Sequence, residues 1–135
     1  MGRLLAIDFG IKRTGIAVTD ELKLIASGLT TVFTKELLHF LEGYTQKECV
    51  DLIIVGEPKR MNNLSSESEL AIQNFIKKLK LAIPQIPIKR YDERFTSKMA
   101  FQAMIDGGVK KQKRKNKALI DEISATLILQ GYMDS

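Results

Sequence analysis

Acidic residues occupy three places in this sequence where apolar side chains are expected. Asp8 interrupts the most apolar stretch of the chain, residues 4–10. Asp92 and Glu93 follow directly on a short strand-like segment, and Asp121 lies on the apolar stripe of a helix. An ionised carboxylate is costly to bury, so such residues are normally paired with a cation, hydrogen-bonded or bound to a metal. A single cause for all three positions is simpler than three separate ones.

Carboxylates that converge at one edge of a sheet can hold hard cations. Mg²⁺ and Mn²⁺ take oxygen ligands and keep waters that substrate phosphates can replace. In two-metal nucleases the ions stabilise both the attacking and the leaving oxygen of an in-line displacement. The acids therefore predict a phosphodiester-cleaving site with one or two Mg²⁺ or Mn²⁺ ions. Simpler explanations stay open: Asp8 could hydrogen-bond a turn, Glu93 could pair with Arg94, and Asp121 could lie favourably near a helix N-terminus.

A basic segment precedes the helix that carries Asp121. Its six cations in eight residues are Lys110, Lys111, Lys113, Arg114, Lys115 and Lys117. They account for more than the whole net charge of +5. Such a run predicts an exposed loop whose natural partner is a polyanion such as nucleic acid. The alternative is a solvated loop that serves solubility alone.

Other kinds of catalysis fit this sequence poorly. The chain has one histidine, one cysteine and no G-x-S-x-G elbow, which argues against serine, cysteine or histidine chemistry and against a zinc site. A Walker A loop is absent, and Asp8-Phe9-Gly10 matches a kinase tripeptide without the other kinase signatures. The single Cys49 excludes an intrachain disulfide and agrees with a reducing cytoplasm. We expect its thiol to be buried beside Val50.

Length and composition predict one globular domain, residues 1–135. The hydrophobic content of 44% and charged content of 27% are ordinary for a folded protein. Charged residues within the first ten positions argue against a signal peptide. The longest uncharged runs, residues 24–34 and 123–133, fall short of the ~20 residues that a membrane helix needs. We therefore expect a cytoplasmic protein that does not enter a membrane.

The hydrophobic pattern predicts five strands and four helices. The strands are Leu4–Phe9, Thr14–Thr19, Gly28–Phe33, Asp51–Gly56 and Ile86–Tyr91. The helices are Lys35–Lys47, a segment after the polar loop Met61–Ser68 that carries Leu70 to Leu79, Thr96 to Gly108, and Asn116–Gly131.

This order predicts an α/β fold with a five-stranded mixed sheet flanked by helices. The first three strands should form an antiparallel meander, and the last two should be parallel strands reached through helical crossovers. Ligands of open α/β sheets gather at the carboxyl ends of the strands. We expect neighbouring strand ends to bring Asp8 together with Asp92 and Glu93 at that edge.

Four sequence blocks resemble the signature of a known family. They are Asp8-Phe9-Gly10-Ile11-Lys12-Arg13-Thr14-Gly15-Ile16-Ala17, Ile54-Val55-Gly56 with Pro58, Asp92-Glu93-Arg94-Phe95-Thr96-Ser97, and Asp121 with Ala125 and Ile128-Leu129-Gln130. Their order and spacing are similar to those of the YqgF/RuvX family, and the match spans almost the whole chain. That family resembles Holliday-junction resolvases in having a ribonuclease H-like fold. Its members are described as resolvases or as nucleases that mature the 5′ end of pre-16S ribosomal RNA.

The resemblance also assigns roles to residues. It implies that Asp8, Glu93 and Asp121 are metal-binding catalytic acids, with Asp92 in support. It implies that three cations lie close to substrate phosphates: Lys12, Arg13 and Arg94. The expected partners are structured RNA, branched DNA or precursor ribosomal particles, and the expected state is a monomer or weak homodimer.

One block departs from the family pattern. The family usually has Leu-Pro-Leu-Asn-Met-Asp-Gly after the buried strand, whereas this chain has Glu57-Pro58-Lys59-Arg60-Met61-Asn62-Asn63. Glu57, at the end of that strand, is therefore a candidate fourth acid of the site. The simpler interpretation is an exposed Glu57 that pairs with Lys59 or Arg60.

Three classes of function are compatible with these residues. The first is a metal-dependent nuclease that cleaves structured RNA, most simply the 5′ end of pre-16S rRNA, or branched DNA. The second is an actin-like or sugar-kinase-like phosphotransferase, which typically needs two such domains where 135 residues supply one. The third is a non-catalytic nucleic-acid-binding module of the same fold, which the presence of all the acids disfavours.

Overall fold

The computed structural model describes residues 2–57, 67–92 and 117–135. Its strands are β1 (Arg3–Asp8), β2 (Arg13–Thr19), β3 (Ala26–Phe33), β4 (Val50–Glu57) and β5 (Ile88–Asp92). Its helices are a 3-10 turn (Thr34–Glu36), α1 (Leu37–Lys47), α2 (Glu67–Ala82) and α3 (Lys117–Asp134). The predicted helix from Thr96 to Gly108, the acid Glu93, the cation Arg94 and the basic residues 110–115 lie outside the described residues, as does the side chain of Lys117.

The strands form one mixed sheet in the order β3-β2-β1-β4-β5. The pairs β1–β2 and β2–β3 are antiparallel, and the pairs β1–β4 and β4–β5 are parallel. This arrangement confirms the predicted three-strand meander followed by two parallel strands. No described helix is long and apolar enough to cross a membrane.

The strand β4 lies between the two strands that the sequence predicts to be neighbours. Ile53, Ile54 and Val55 are all fully buried, so β4 is covered on both faces, as a central parallel strand must be. Polar β5, with Lys89 exposed, takes the edge position instead. The expectation that Asp8 and Asp92 end adjacent strands is therefore wrong, although β1, β4 and β5 share one carboxyl edge.

The two faces of the sheet have different cores. Leu5 and Ile7 of β1 point to the face that α1 and α2 cover, where Leu41 and Leu79 are buried. The helix α3 covers the opposite face of the sheet. The core on that face consists of Ala6, Ala17, Ile54, Ala125, Ile128 and Leu129. Alanine in the strands and in the helix allows the backbones to approach closely, so α3 packs directly on the sheet.

Three local predictions need correction. The helix α3 continues beyond Gly131 to Asp134. Gly131 lies within the helix, where it contacts β5, and does not end it. A Cβ at Gly131 would lie 2.8 Å from the Cζ of Tyr91, so any side chain there would displace the tyrosine ring. A 3-10 turn precedes α1, and Cys49 is exposed with its sulfur 3.9 Å from Asp51 Oδ1. This cysteine lies in the connection before β4 and not in the buried part of the strand.

Candidate active site

Asp8 ends β1 at the carboxyl edge of the sheet. Its partner across the antiparallel β1–β2 ladder is Gly15. Side chains alternate between the faces of a strand, and Ala6 of the same strand packs in the α3 core. The carboxylate of Asp8, which is half-buried, therefore lies on the α3 face of the sheet.

Asp121 reaches the same place from α3. A Cβ at Gly15 would collide with the backbone carbonyl oxygen of Asp121 and would lie 3.0 Å from its Cβ. The first turns of α3 thus rest on the bare backbone of β2, directly beside the end of β1. The absence of a side chain at Gly15 allows Asp121 to lie against the ladder partner of Asp8, on the same face of the sheet.

The guanidinium of Arg13 lies beside the second acid. Its Nε donates to Asp121 Oδ2 at 3.3 Å, and the two side chains are 36% and 25% exposed. The turn before Arg13 is fastened by Thr34, whose hydroxyl donates to the Gly10 carbonyl at 2.5 Å and whose amide donates to the Lys12 carbonyl at 2.9 Å. Thr34 thus fixes the turn that places Arg13 beside Asp121.

Glu122 is a neighbouring acid that the sequence pattern did not single out. Burial raises the pKa of Glu122, and the adjacent Asp121 charge raises it further. Its Cβ lies 3.2 Å from the position that a Cβ at Gly28 would take, so it packs against β3. The only sequence signal was its place directly after Asp121.

The two supporting acids lie on the other face. Glu57 and Asp92 are register partners at the carboxyl ends of β4 and β5. Side chains two residues apart on a strand share a face, so Glu57 lies on the face of buried Val55. Asp92 likewise lies on the face of Arg90, which contacts α2. The structure thus brings Glu57 and Asp92 together at the correct edge, but on the α2 side and not on the α3 face that carries Asp8 and Asp121.

Arg90 is a second residue without a predicted role. It forms a two-pronged ion pair with Glu69 of α2, with N–O distances of 2.8 and 3.0 Å. It also donates to the carbonyls of Val55 and Gly56 at 3.2 and 3.0 Å. Arg90 therefore ties the start of α2 to the carboxyl end of β4. The sequence signal that could have identified Arg90 is the presence of an arginine within a short predicted strand.

The donor set fits a hard cation. Asp8 and Asp121 both adjoin Gly15 on the α3 face of the sheet, and carboxylate oxygens are the ligands that Mg²⁺ and Mn²⁺ prefer. Within the described ranges no group of three or more histidine, cysteine or acidic side chains has a metal-binding arrangement. The third predicted ligand, Glu93, lies outside those ranges.

Comparisons with known proteins find relatives of high identity. A protein of Christiangramia forsetii is 62% identical over 133 residues, which are 98% of each chain. Relatives from Phocaeicola vulgatus and Bacteroides thetaiotaomicron are 59% and 56% identical over 135 residues, which are 100% of this chain and 97% and 98% of theirs. All three carry the provisional name of pre-16S rRNA nuclease.

Solved structures show the same architecture. Thermus thermophilus RuvC in complex with a Holliday junction substrate aligns with a TM-score of 0.62 at 16% identity, covering 98% of this chain and 94% of RuvC. A second structure of that RuvC gives a TM-score of 0.56, with 96% and 94% covered. The sequence profile of RuvX, described as Holliday junction resolvase, matches residues 2–135. The chain is therefore a member of the RuvX family with a RuvC-like fold.

Proposed function

We propose that this protein is a metal-dependent endonuclease that processes the 5′ end of pre-16S rRNA. The observation that carries the proposal is that Asp8 and Asp121 both adjoin Gly15, on one face of the sheet at its carboxyl edge. The names of the high-identity relatives support RNA as the substrate. We propose the cytoplasm as its compartment, because rRNA precursors are made there.

The three acids Asp8, Glu93 and Asp121 would together hold one or two Mg²⁺ or Mn²⁺ ions. When bound, such ions lower the pKa of the attacking water and stabilise the leaving oxygen. Arg13 helps to orient the Asp121 carboxylate, because its Nε donates a hydrogen bond to Oδ2. Arg13 can also donate to a substrate phosphate, because its side chain is 36% exposed.

Other residues would bind or organise the substrate without touching the reacting atoms. Asp92 and Glu57 shape the same edge from the α2 side. The predicted phosphate contacts are Lys12, Arg94, Lys110, Lys111, Lys113, Arg114, Lys115 and Lys117. Contacts to phosphates fix the position of a nucleic acid without reading its bases. The partner would be structured RNA, including precursor ribosomal particles.

A resolvase acting on branched DNA is the second candidate. The description of the RuvX profile favours it, as does the likeness of the fold to a RuvC that was solved on a Holliday junction. The same acids would serve either substrate, since both reactions break a phosphodiester bond.

One experiment separates the candidates. The protein is incubated with 5′-extended 16S rRNA precursor and, in parallel, with a four-way DNA junction, each with Mg²⁺, with Mn²⁺ or with EDTA. We expect cuts in the precursor at defined positions, dependent on the metal. Asp8→Asn should lower the rate by about 100-fold or more, because removing one metal ligand weakens metal binding.

Asp134→Asn provides the matched control, because Asp134 is an exposed acid at the far end of α3. It should cleave at the wild-type rate. Cleavage of the junction and not of the precursor would replace the RNA proposal with the resolvase. Full metal-dependent activity of folded Asp8→Asn protein would contradict the assignment of the site.

A further inference from the structure

A basic groove runs between α2 and the edge strand β5. It has a volume of about 290 Å³. Its lining residues are Gln73, Ile76, Lys77, Lys80, Ile88 and Arg90. We call it the α2–β5 groove. It lies on the α1–α2 face of the sheet, outside the site formed by Asp8 and Asp121.

The helix spacing explains why the polar side chains form one row. Gln73, Lys77 and Lys80 follow each other at intervals of four and three residues, so they share one side of α2. All three are exposed, whereas Ile76 and Ile88 are half-buried and form an apolar floor. A lysine at position 80 is expected because cations are favourable near a helix C-terminus. This effect does not explain a row of polar side chains that faces β5.

The positive charge of this row is not neutralised by the described part of the protein. Arg90 is paired with Glu69 at one end of the groove. Among the described residues, neither Lys77 nor Lys80 has a carboxylate within ion-pair distance. Lys23, by comparison, contacts Asp51 at 2.7 Å. The groove therefore offers two ammonium groups to a ligand from outside.

The groove also has a direction. Arg90 at one end contacts the carbonyls at the carboxyl end of β4, where the candidate active site lies on the other face. Ile88 begins β5, and Lys80 lies in the last turn of α2, so the groove extends from that edge towards the amino end of β5. An RNA strand that crosses the carboxyl edge of the sheet can continue into the α2–β5 groove.

We propose that the α2–β5 groove binds the phosphate backbone of the substrate RNA beyond the cleavage site. This inference rests on the proposed function. Lys77 and Lys80 would each neutralise one phosphate, while Ile76 and Ile88 contact the sugars. The contacts are to the backbone, so the groove adds affinity and a path for the strand without sequence preference.

The test measures binding of a single-stranded RNA with the sequence of the precursor's 5′ end, in EDTA so that cleavage is excluded. Affinity is determined over a series of salt concentrations for wild type, Lys77→Gln/Lys80→Gln and Lys35→Gln/Lys47→Gln. The last variant loses the same charge from the 3-10 turn and α1, away from the groove. We expect the groove variant to flatten the slope of log affinity against log salt by roughly 1.4, at ~0.7 per phosphate of single strands.

The outcomes are distinguishable. An unchanged slope of the groove variant, or an equal change in the α1 control, would overturn the inference while wild-type binding and cleavage still support the proposed function. A changed slope for a four-way DNA junction but not for RNA would also overturn it. If wild-type protein neither binds nor cleaves RNA, the proposed function itself fails.

Discussion

The backbone carbonyl oxygen of Asp121 fills the space in which a side chain at Gly15 would begin. This contact joins α3 to β2 at the ladder position opposite Asp8. It makes Gly15 a determinant of the site, although glycine has no functional group. The geometry of the two acids therefore depends on how closely a helix approaches a strand.

Replacing Gly15 with alanine should disturb both stability and cleavage. The added Cβ must push α3 away from β2, and overpacking of this kind costs about 1–3 kcal/mol of unfolding free energy. We expect a large loss of kcat, because Asp121 moves relative to Asp8. Denaturant unfolding and initial cleavage rates measure the two effects.

Gly43→Ala is the matched control for this change. A Cβ at exposed Gly43 meets nothing within 4 Å, and the residue lies within α1. Alanine should therefore stabilise the protein by about 0.5–1 kcal/mol and leave cleavage unchanged. Wild-type activity in Gly15→Ala would show that the Gly15 contact does not position the acids.

Arg13→Gln should impair function more than folding. Its ion pair with Asp121 is partly exposed, so the loss of stability should be at most about 1 kcal/mol. Cleavage should slow and KM should rise, with partial rescue in Arg13→Lys. Arg3→Gln removes a comparable pair with Glu48 at the other end of the sheet and should leave kinetics unchanged. Equal kinetic effects of the two variants would argue against a specific role for Arg13.

The Arg90–Glu69 pair should behave as a mostly buried pair. Arg90→Leu removes the guanidinium that donates to the Glu69 carboxylate and to two carbonyls, and we expect a loss of about 2–4 kcal/mol. The double variant Arg90→Leu/Glu69→Leu should lose less than the sum of the single losses. A double-mutant cycle from urea unfolding measures the coupling, and strict additivity would contradict it.

Asp51 should make stability depend on pH in the acidic range. The hydrogen bond from Lys23, at 2.7 Å, is the main cause that lowers the pKa of Asp51 in the folded state. A lowered folded-state pKa means that the stabilisation is full above the usual value of about 4 and is lost as pH falls below it. Asp51→Asn should therefore be less stable than wild type at pH 7. The difference should shrink in urea unfolding at about pH 3, and a difference independent of pH would be contrary to this prediction.

The class of fold and most of its elements can be predicted from the residues alone. Five strands can be predicted because a strand buried on one face shows alternating apolar residues, whereas a strand buried on both faces shows a continuous apolar run. The nearly continuous apolar run of residues 51–56 indicates a strand covered on both faces, and the burial of Ile53, Ile54 and Val55 confirms it. Asp8 and Asp121 could be singled out because a carboxylate in an apolar pattern is costly.

Which residues share a face, and which contact each other, depends on how the elements pack. The position of β4 between β1 and β5 follows from strand pairing, which no local pattern encodes. The separation of Glu57 and Asp92 from Asp8 follows from alternation combined with register. The partnerships of Arg13 with Asp121 and of Arg90 with Glu69 join residues 108 and 21 positions apart. Such contacts arise from packing between elements. For the same reason the role of Gly15 can be seen only in the tertiary structure, where α3 packs against it.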